Sequence, residues 1–306
     1  MKIEPYICSN KIHKICEMFH NILLYLGCIY DRYFLSKHLM VVENMESKSL
    51  VLVEELALKK QSIFVQSPLR YLLRAMLASM FIGFGVIVAF KTGNLFYVEH
   101  SPFTYPIAAI TFGGAIILIV YGGGDLFTGN TFYYTLAALR KKMRWPTVIK
   151  LWMFSYAGNL MGAVFFAGLI FATGLFKDPS STGFILSVAE HKMNTPVTEL
   201  FFKAILCNWL VCLAFFVPMA QKGDGAKMFS MMLFVFTFFI SGYEHSIANM
   251  ATFAVSLVTE HPETISIAGA IHNLIPVTLG NRVGGAFMMG FMYHYANKPG
   301  GEEIIK

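Results

Sequence analysis

"SGYEHSIANM", residues 241–250, interrupts an otherwise almost purely apolar run from Met228 to Val258. Ionisable side chains at that depth in a membrane segment are costly and rare. A run of this length also exceeds the ~20 residues that cross a hydrocarbon core. Gly242, two positions before Glu244, weakens a helix by about 1 kcal/mol relative to alanine. The stretch therefore reads as a discontinuity in a membrane helix. A second apolar run, 105–139, is interrupted in the same way by "YGGGDLFTGN" (121–130). In each case an acid is followed five residues later by an asparagine: Asp125 and Asn130, then Glu244 and Asn249.

Composition agrees with a membrane setting. Of 306 residues, 56% are hydrophobic and 14% charged, where soluble domains run nearer a quarter charged. Apolar runs give six spans, at about 68–92, 105–139, 147–174, 196–220, 228–258 and 267–296. The net charge of +6 gives no case for a nucleic-acid partner, because most basic residues flank apolar runs and report topology instead. Connections after spans two and four carry six Lys/Arg residues against three after spans one, three and five. That bias puts both termini on the cytoplasmic side of a cell membrane.

The spans repeat. "SPLRYLLRAMLASM" (67–80) opens the first and "TPVTELFFKAILCN" (195–208) the fourth; spans three and six share GNxxG, as "GNLMG" (158–162) and "GNRVG" (280–284). Three spans per repeat is an odd number, so the halves enter the membrane with opposite orientation. This is the inverted-repeat plan of channels and transporters. The expected fold class is thus an all-α membrane protein with six transmembrane helices in two inverted three-helix repeats, helices two and five being broken. The expected domains are an N-terminal cytoplasmic or interfacial segment (1–60), a channel domain (61–297) and a cytoplasmic tail (298–306). Residues 22–30, "ILLYLGCIY", are too short to span. Either residues 1–39 are an artefactual extension ahead of a start at Met40 or Met45, or they form an interfacial amphipathic segment.

Several residues invite a role. Each carboxylate, Asp125 and Glu244, is placed to cap the half-helix that follows it, which makes both loop-structuring residues. Gly242, Asn130 and Asn249 join them in that role. The half-helix N-termini then point positive dipole ends at the midplane, which suits an anion. His245 has no such structural duty and can exchange a proton near neutral pH. The repeat brings the Thr128 hydroxyl towards it, and Asn208 adds an amide in an apolar run. GNxxG reads as close helix packing, and Arg282 within its second copy has no assigned partner. The five cysteines show no CxxC or metal-ligand spacing, and no metal, cofactor or catalytic residue is expected.

Together, "GGGDLFTGN", "SGYEHSIANM" and "NLIPVTLGN" (273–281) resemble the formate/nitrite transporter family, over roughly residues 50–296. The resemblance implies an aquaporin-like fold and a homopentamer with one pore per protomer. It places the family's central histidine on His245, its partner threonine on Thr128, its pore asparagine on Asn208 and its vestibule lysine on Lys192, in "HKMN". The family's constrictions fall on Leu126 at the cytoplasmic side and on Phe112 and Phe238 at the extracellular side, with Phe127 a weaker match. The implied function is pH-dependent, proton-linked passage of a small monovalent anion, formate first and nitrite or hydrosulfide next, across a lipid bilayer. A neutral-solute facilitator for water or glycerol is the alternative from another class. A metalloenzyme built on Glu244 and His245 lacks the ~3 protein ligands of a catalytic zinc.

Overall fold

The structure is a computed structural model that describes residues 46–297. The alternatives for the first 45 residues, and the tail at 298–306, fall outside the described part. The chain divides into Met1–Lys48 and a compact unit, Ser49–Lys306. All that follows concerns the second.

The unit is helical, with no strand among the described residues. Helix α1 covers residues 49–66, α2 is Pro68–Tyr97, α3 Thr104–Phe112, α4 Gly114–Gly122 and α5 Phe127–Leu139. Then come α6 (Trp145–Thr173), α7 (Gly183–Asn194), α8 (Val197–Phe216), α9 (Asp224–Ile240), α10 (Ser246–Val258) and α11 (Ile267–Arg282). The last continues as a π-helix, Val283–Phe291, into α12 (Met292–Ala296). Local chemistry sets the boundaries. The Ser67 hydroxyl accepts the Arg70 N–H and Pro68 opens α2, since proline fits the first helical turn, where N–H groups have no partner. The Ser266 hydroxyl does the same for α11. Gly123 and Gly242, with φ of 74° and 66°, take left-handed conformations that a β-carbon disfavours. They turn the chain after α4 and α9.

Among the described residues, four helical stretches are long and apolar enough to cross a membrane: Pro68–Tyr97, Thr104–Gly122, Trp145–Thr173 and Val197–Ala220. Two intimate pairings organise them, α2 along α6 and α8 along α11. The GNxxG glycines make both possible. A β-carbon on Gly158 would meet Ala75 and the Leu72 carbonyl, and one on Gly162 the backbone of Met76. On Gly280 and Gly284 it would meet the carbonyls of Phe201 and Ile205. Only glycine allows backbones this close, which is how membrane helices gain packing contact without a hydrophobic driving force. Large apolar side chains such as Leu69, Phe84, Met153, Phe171 and Ile275 remain exposed on the outside of the unit.

Candidate functional site

Two short loops, 123–126 between α4 and α5 and 241–245 between α9 and α10, meet in the interior. Non-helical backbone inside a membrane protein must find internal hydrogen-bond partners. Here the GNxxG asparagines supply them. Asn159 on α6 accepts the Phe127 N–H at 3.0 Å and donates to the carbonyls of Ala75 (2.7 Å) and Asp125 (3.1 Å). Asn281 on α11 accepts the Ser246 N–H at 2.8 Å and donates to the carbonyls of Ala204 (2.8 Å) and Glu244 (2.9 Å). The two sets of contacts correspond residue for residue.

This corrects the capping expected of the carboxylates. Neither acid accepts from a helix-opening N–H. Asp125 takes the side-chain amide of Asn130 and faces Lys60 on α1, whose Nζ lies 3.5 Å away. Glu244 takes the Asn249 amide at 2.6 Å and Lys192 Nζ on α7 at 2.9 Å. Each loop therefore carries a lysine–carboxylate–asparagine triad. Further neighbours differ: Tyr71 and Tyr134 stand behind the first, Asn273 behind the second. Both acids are buried, so the pairing lysine is what makes a charge tolerable there.

His245 is the N-cap of α10. Its Nδ1 accepts the Ala248 N–H at 3.0 Å, and its Nε2 lies 3.0 Å from Thr128 Oγ1. An Nδ1 that accepts from a backbone amide carries no hydrogen, so Nε2 carries it and donates to the threonine oxygen. In an imidazolium, Nδ1–H would oppose the Ala248 N–H donor to donor. The ring also stacks on Phe238, centroids 5.9 Å apart.

Three cavities lie in series around these loops. One of about 350 Å³ is lined by Lys192, Glu244, Gly242, Asn249, His191 and Tyr105 among others. Another of about 420 Å³ is lined by Lys60, Arg74, Tyr133, Gly124, Phe215 and Lys227 among others. Between them is a chamber of about 20 Å³, apolar except for His245, roughly the room one water needs. Phe112 and Phe238 border both the chamber and the Lys192 cavity, their rings edge-on at 6.1 Å. Leu126 borders both the chamber and the Lys60 cavity.

The sequence-predicted residues thus separate into groups. Lys192, Phe112, Phe238, His245 and Leu126 follow one another along the cavities. Thr128 lies behind His245 and lines none of the three. Asn208 is fully buried, its amide donating to the carbonyls of Thr128 and Asn281 and to Thr131 Oγ1; it clamps α5 to α11. Phe127 turns away from all three cavities and packs edge-on against Tyr156. Sequence reasoning passed over Lys60, Asn159 and Asn281. Lys60 lies eight residues before Pro68 and Lys192 four before Pro196, and an asparagine stands in both GNxxG copies.

The sequence profile of the formate/nitrite transporter family matches residues 49–295. The uncharacterized transporter YwcJ of Bacillus subtilis is 63% identical over 253 residues, covering 83% of this chain and 99% of that protein. The nitrite transporter NirC of Escherichia coli is 38% identical over 234 residues, covering 75% of this chain and 84% of the relative. Among solved structures, a pentameric formate channel with formate bound superimposes with a TM-score of 0.61 at 26% identity, covering 74% of this chain and 98% of that one.

Proposed function

The chain belongs to the formate/nitrite transporter family, and on that premise we propose that it carries small monovalent anions, formate first, across the cytoplasmic membrane together with a proton. The observation that carries the reading is the series of three cavities, with a lysine–carboxylate pair at each end and the His245–Thr128 hydrogen bond at the middle. In this reading the chain forms six spans in two inverted repeats, α3–α4–α5 and α9–α10 being the broken ones. The repeat relates the Asn159 and Asn281 contacts and the two triads. The protomers assemble as pentamers with one path each, both chain ends are cytoplasmic, and the Lys192 cavity opens outward.

Physical chemistry then orders the steps. An anion is drawn into the Lys192 vestibule by the ammonium N–H groups that Glu244 does not take and by the positive end of α10. A bare carboxylate entering the apolar chamber would lose its hydration without replacement. Carboxylic acids have pKa values of about 4 in water, and a low-dielectric vestibule disfavours the charged form, so protonation precedes entry. The neutral acid passes Phe112 and Phe238, meets His245, and leaves past Leu126 towards Lys60. His245 presents its ring edge to the chamber while Thr128 holds Nε2, and Asp125, Glu244, Asn130, Asn249 and Gly242 keep the loops in shape. Asn208 acts through the Thr128 and Asn281 carbonyls.

Nitrite is the second reading, favoured by the 38% identity to a nitrite transporter. The deciding experiment reconstitutes the purified chain in liposomes and measures uptake of formate, nitrite, lactate and hydrosulfide side by side, with osmotic swelling in glycerol as the neutral control. Formate or nitrite uptake that rises as external pH falls is expected. Glycerol swelling without anion uptake would replace the reading with a neutral-solute facilitator.

A further inference from the structure

Arg282 is a charged residue beside the two loops that the path described above does not use. It directly follows Asn281, the residue that pins the Glu244 carbonyl and the Ser246 N–H beside His245. Its guanidinium carbon lies 5.7 Å from the ring centre of Phe127 and 5.8 Å from that of Trp152. Phe127 in turn adjoins Leu126, which walls the chamber. The Arg282 Nε is buried without a hydrogen-bond partner, and no described carboxylate stands within ion-pair distance of this side chain. Asp125 and Glu244, the acids of the loops, are each already paired with a lysine. Each loop acid is thus balanced by a lysine, and Arg282, like Arg74 beside the 123–126 loop, adds a positive charge with no described carboxylate partner.

Two aromatic faces are suited to such a charge. They stabilise a desolvated cation within about 6 Å of the ring centre without the opposing charge a carboxylate would bring. An ion-paired arginine would present a dipole to the chamber; an arginine held by Phe127 and Trp152 presents its full charge. Arginine also keeps that charge at any working pH, unlike an imidazole.

We propose that Arg282 is a permanent electrostatic support for the transported anion, acting at a distance from behind Phe127 and Leu126 rather than by contact. It draws the anion to the loops, where protonation precedes entry into the chamber. This rests on the transport reading above and adds a residue that tunes anion preference. The expected size is about tenfold in rate, the scale of a unit charge acting across roughly 10 Å at an effective dielectric constant of 20.

The test compares formate and nitrite uptake by liposomes containing wild type, Arg282→Gln, Arg282→Met and Arg282→Lys at one fixed pH. Melting temperature and oligomer mass of each protein are measured in detergent. The proposal expects Gln and Met to lower uptake about tenfold with assembly and melting unchanged, and Lys to restore at least half the wild-type rate. Uptake by Gln and Met equal to wild type overturns it. So does a Lys variant as slow as Gln, which would assign Arg282 to shape rather than charge. Loss of uptake that tracks loss of the oligomer or of thermal stability also overturns it. If wild-type vesicles take up neither anion above empty liposomes, the transport reading fails first, whatever the variants do, and this inference falls with it.

Discussion

The loops at 123–126 and 241–245 share a frame and differ in one residue that matters chemically. Each is pinned by a GNxxG asparagine, closed by an acid–asparagine hydrogen bond and neutralised by a lysine from the helix that precedes α2 or α8. The residue that opens the following helix is Leu126 in the first loop and His245 in the second. Leucine cannot cap, so α5 starts without a side-chain acceptor at that position. Histidine caps α10 and still holds Nε2 towards Thr128. Both residues face the chamber. The comparison teaches that most polar groups here build backbone shape, and that one substitution between equivalent positions supplies the polar side chain of the path.

The shared frame is where the largest effect is expected. Asn281→Ala strands the Ser246 N–H and the Glu244 carbonyl and removes a second hydrogen bond from the Ala204 carbonyl. Unpaired buried groups cost about 1–3 kcal/mol each, so the variant loses about 4 kcal/mol or more. Asn159→Ala loses a similar amount, and thermal unfolding in detergent reads both. Equal and large shifts support two equivalent pins; a drop in only one of the two variants would break the equivalence.

The triads come next and sharpen the comparison. Glu244→Gln leaves Lys192 charged and unopposed, a change of about 3 kcal/mol for a buried pair that loses one partner. Asp125→Asn costs less, because Lys60 lies farther from its acid and keeps a 2.6 Å bond to Asn130 Oδ1. Adding Lys192→Met to Glu244→Gln recovers most of the loss by removing the stranded charge. Additivity of the two changes in a double-mutant cycle would show that the 2.9 Å contact contributes nothing.

Much of this was legible in the sequence, and what was missed has physical causes. The glycine-rich interruptions and the acid–asparagine spacing located both loops, because helix-breaking residues inside apolar runs are hard to explain otherwise. His245 and Thr128, 3.0 Å apart here, were paired by the repeat. The capping role went to the wrong residues. A carboxylate just ahead of a helix fits the usual N-cap pattern, but Asp125 and Glu244 were drawn instead to lysines far away in sequence. The glycines of GNxxG point to close packing, and they do pack; its asparagines bond to carbonyls on α2 and α8 that no local pattern reveals. Lys60 precedes the first long apolar run, where a lysine reads as a topology marker. Asn208, expected to position the solute, donates its amide here to the carbonyls of Thr128 and Asn281.

The most direct test separates the two duties of His245. Asparagine is at least as good an N-cap, with differences among good caps of a few tenths to about 1 kcal/mol, but it cannot reach Thr128 with an Nε2 donor. His245→Asn in liposomes, with formate uptake and internal acidification followed together, should keep the wild-type melting temperature within a few degrees and lose formate-driven acidification at least tenfold. Wild-type acidification and pH dependence in that variant would contradict the account, leaving His245 as a helix cap and nothing more.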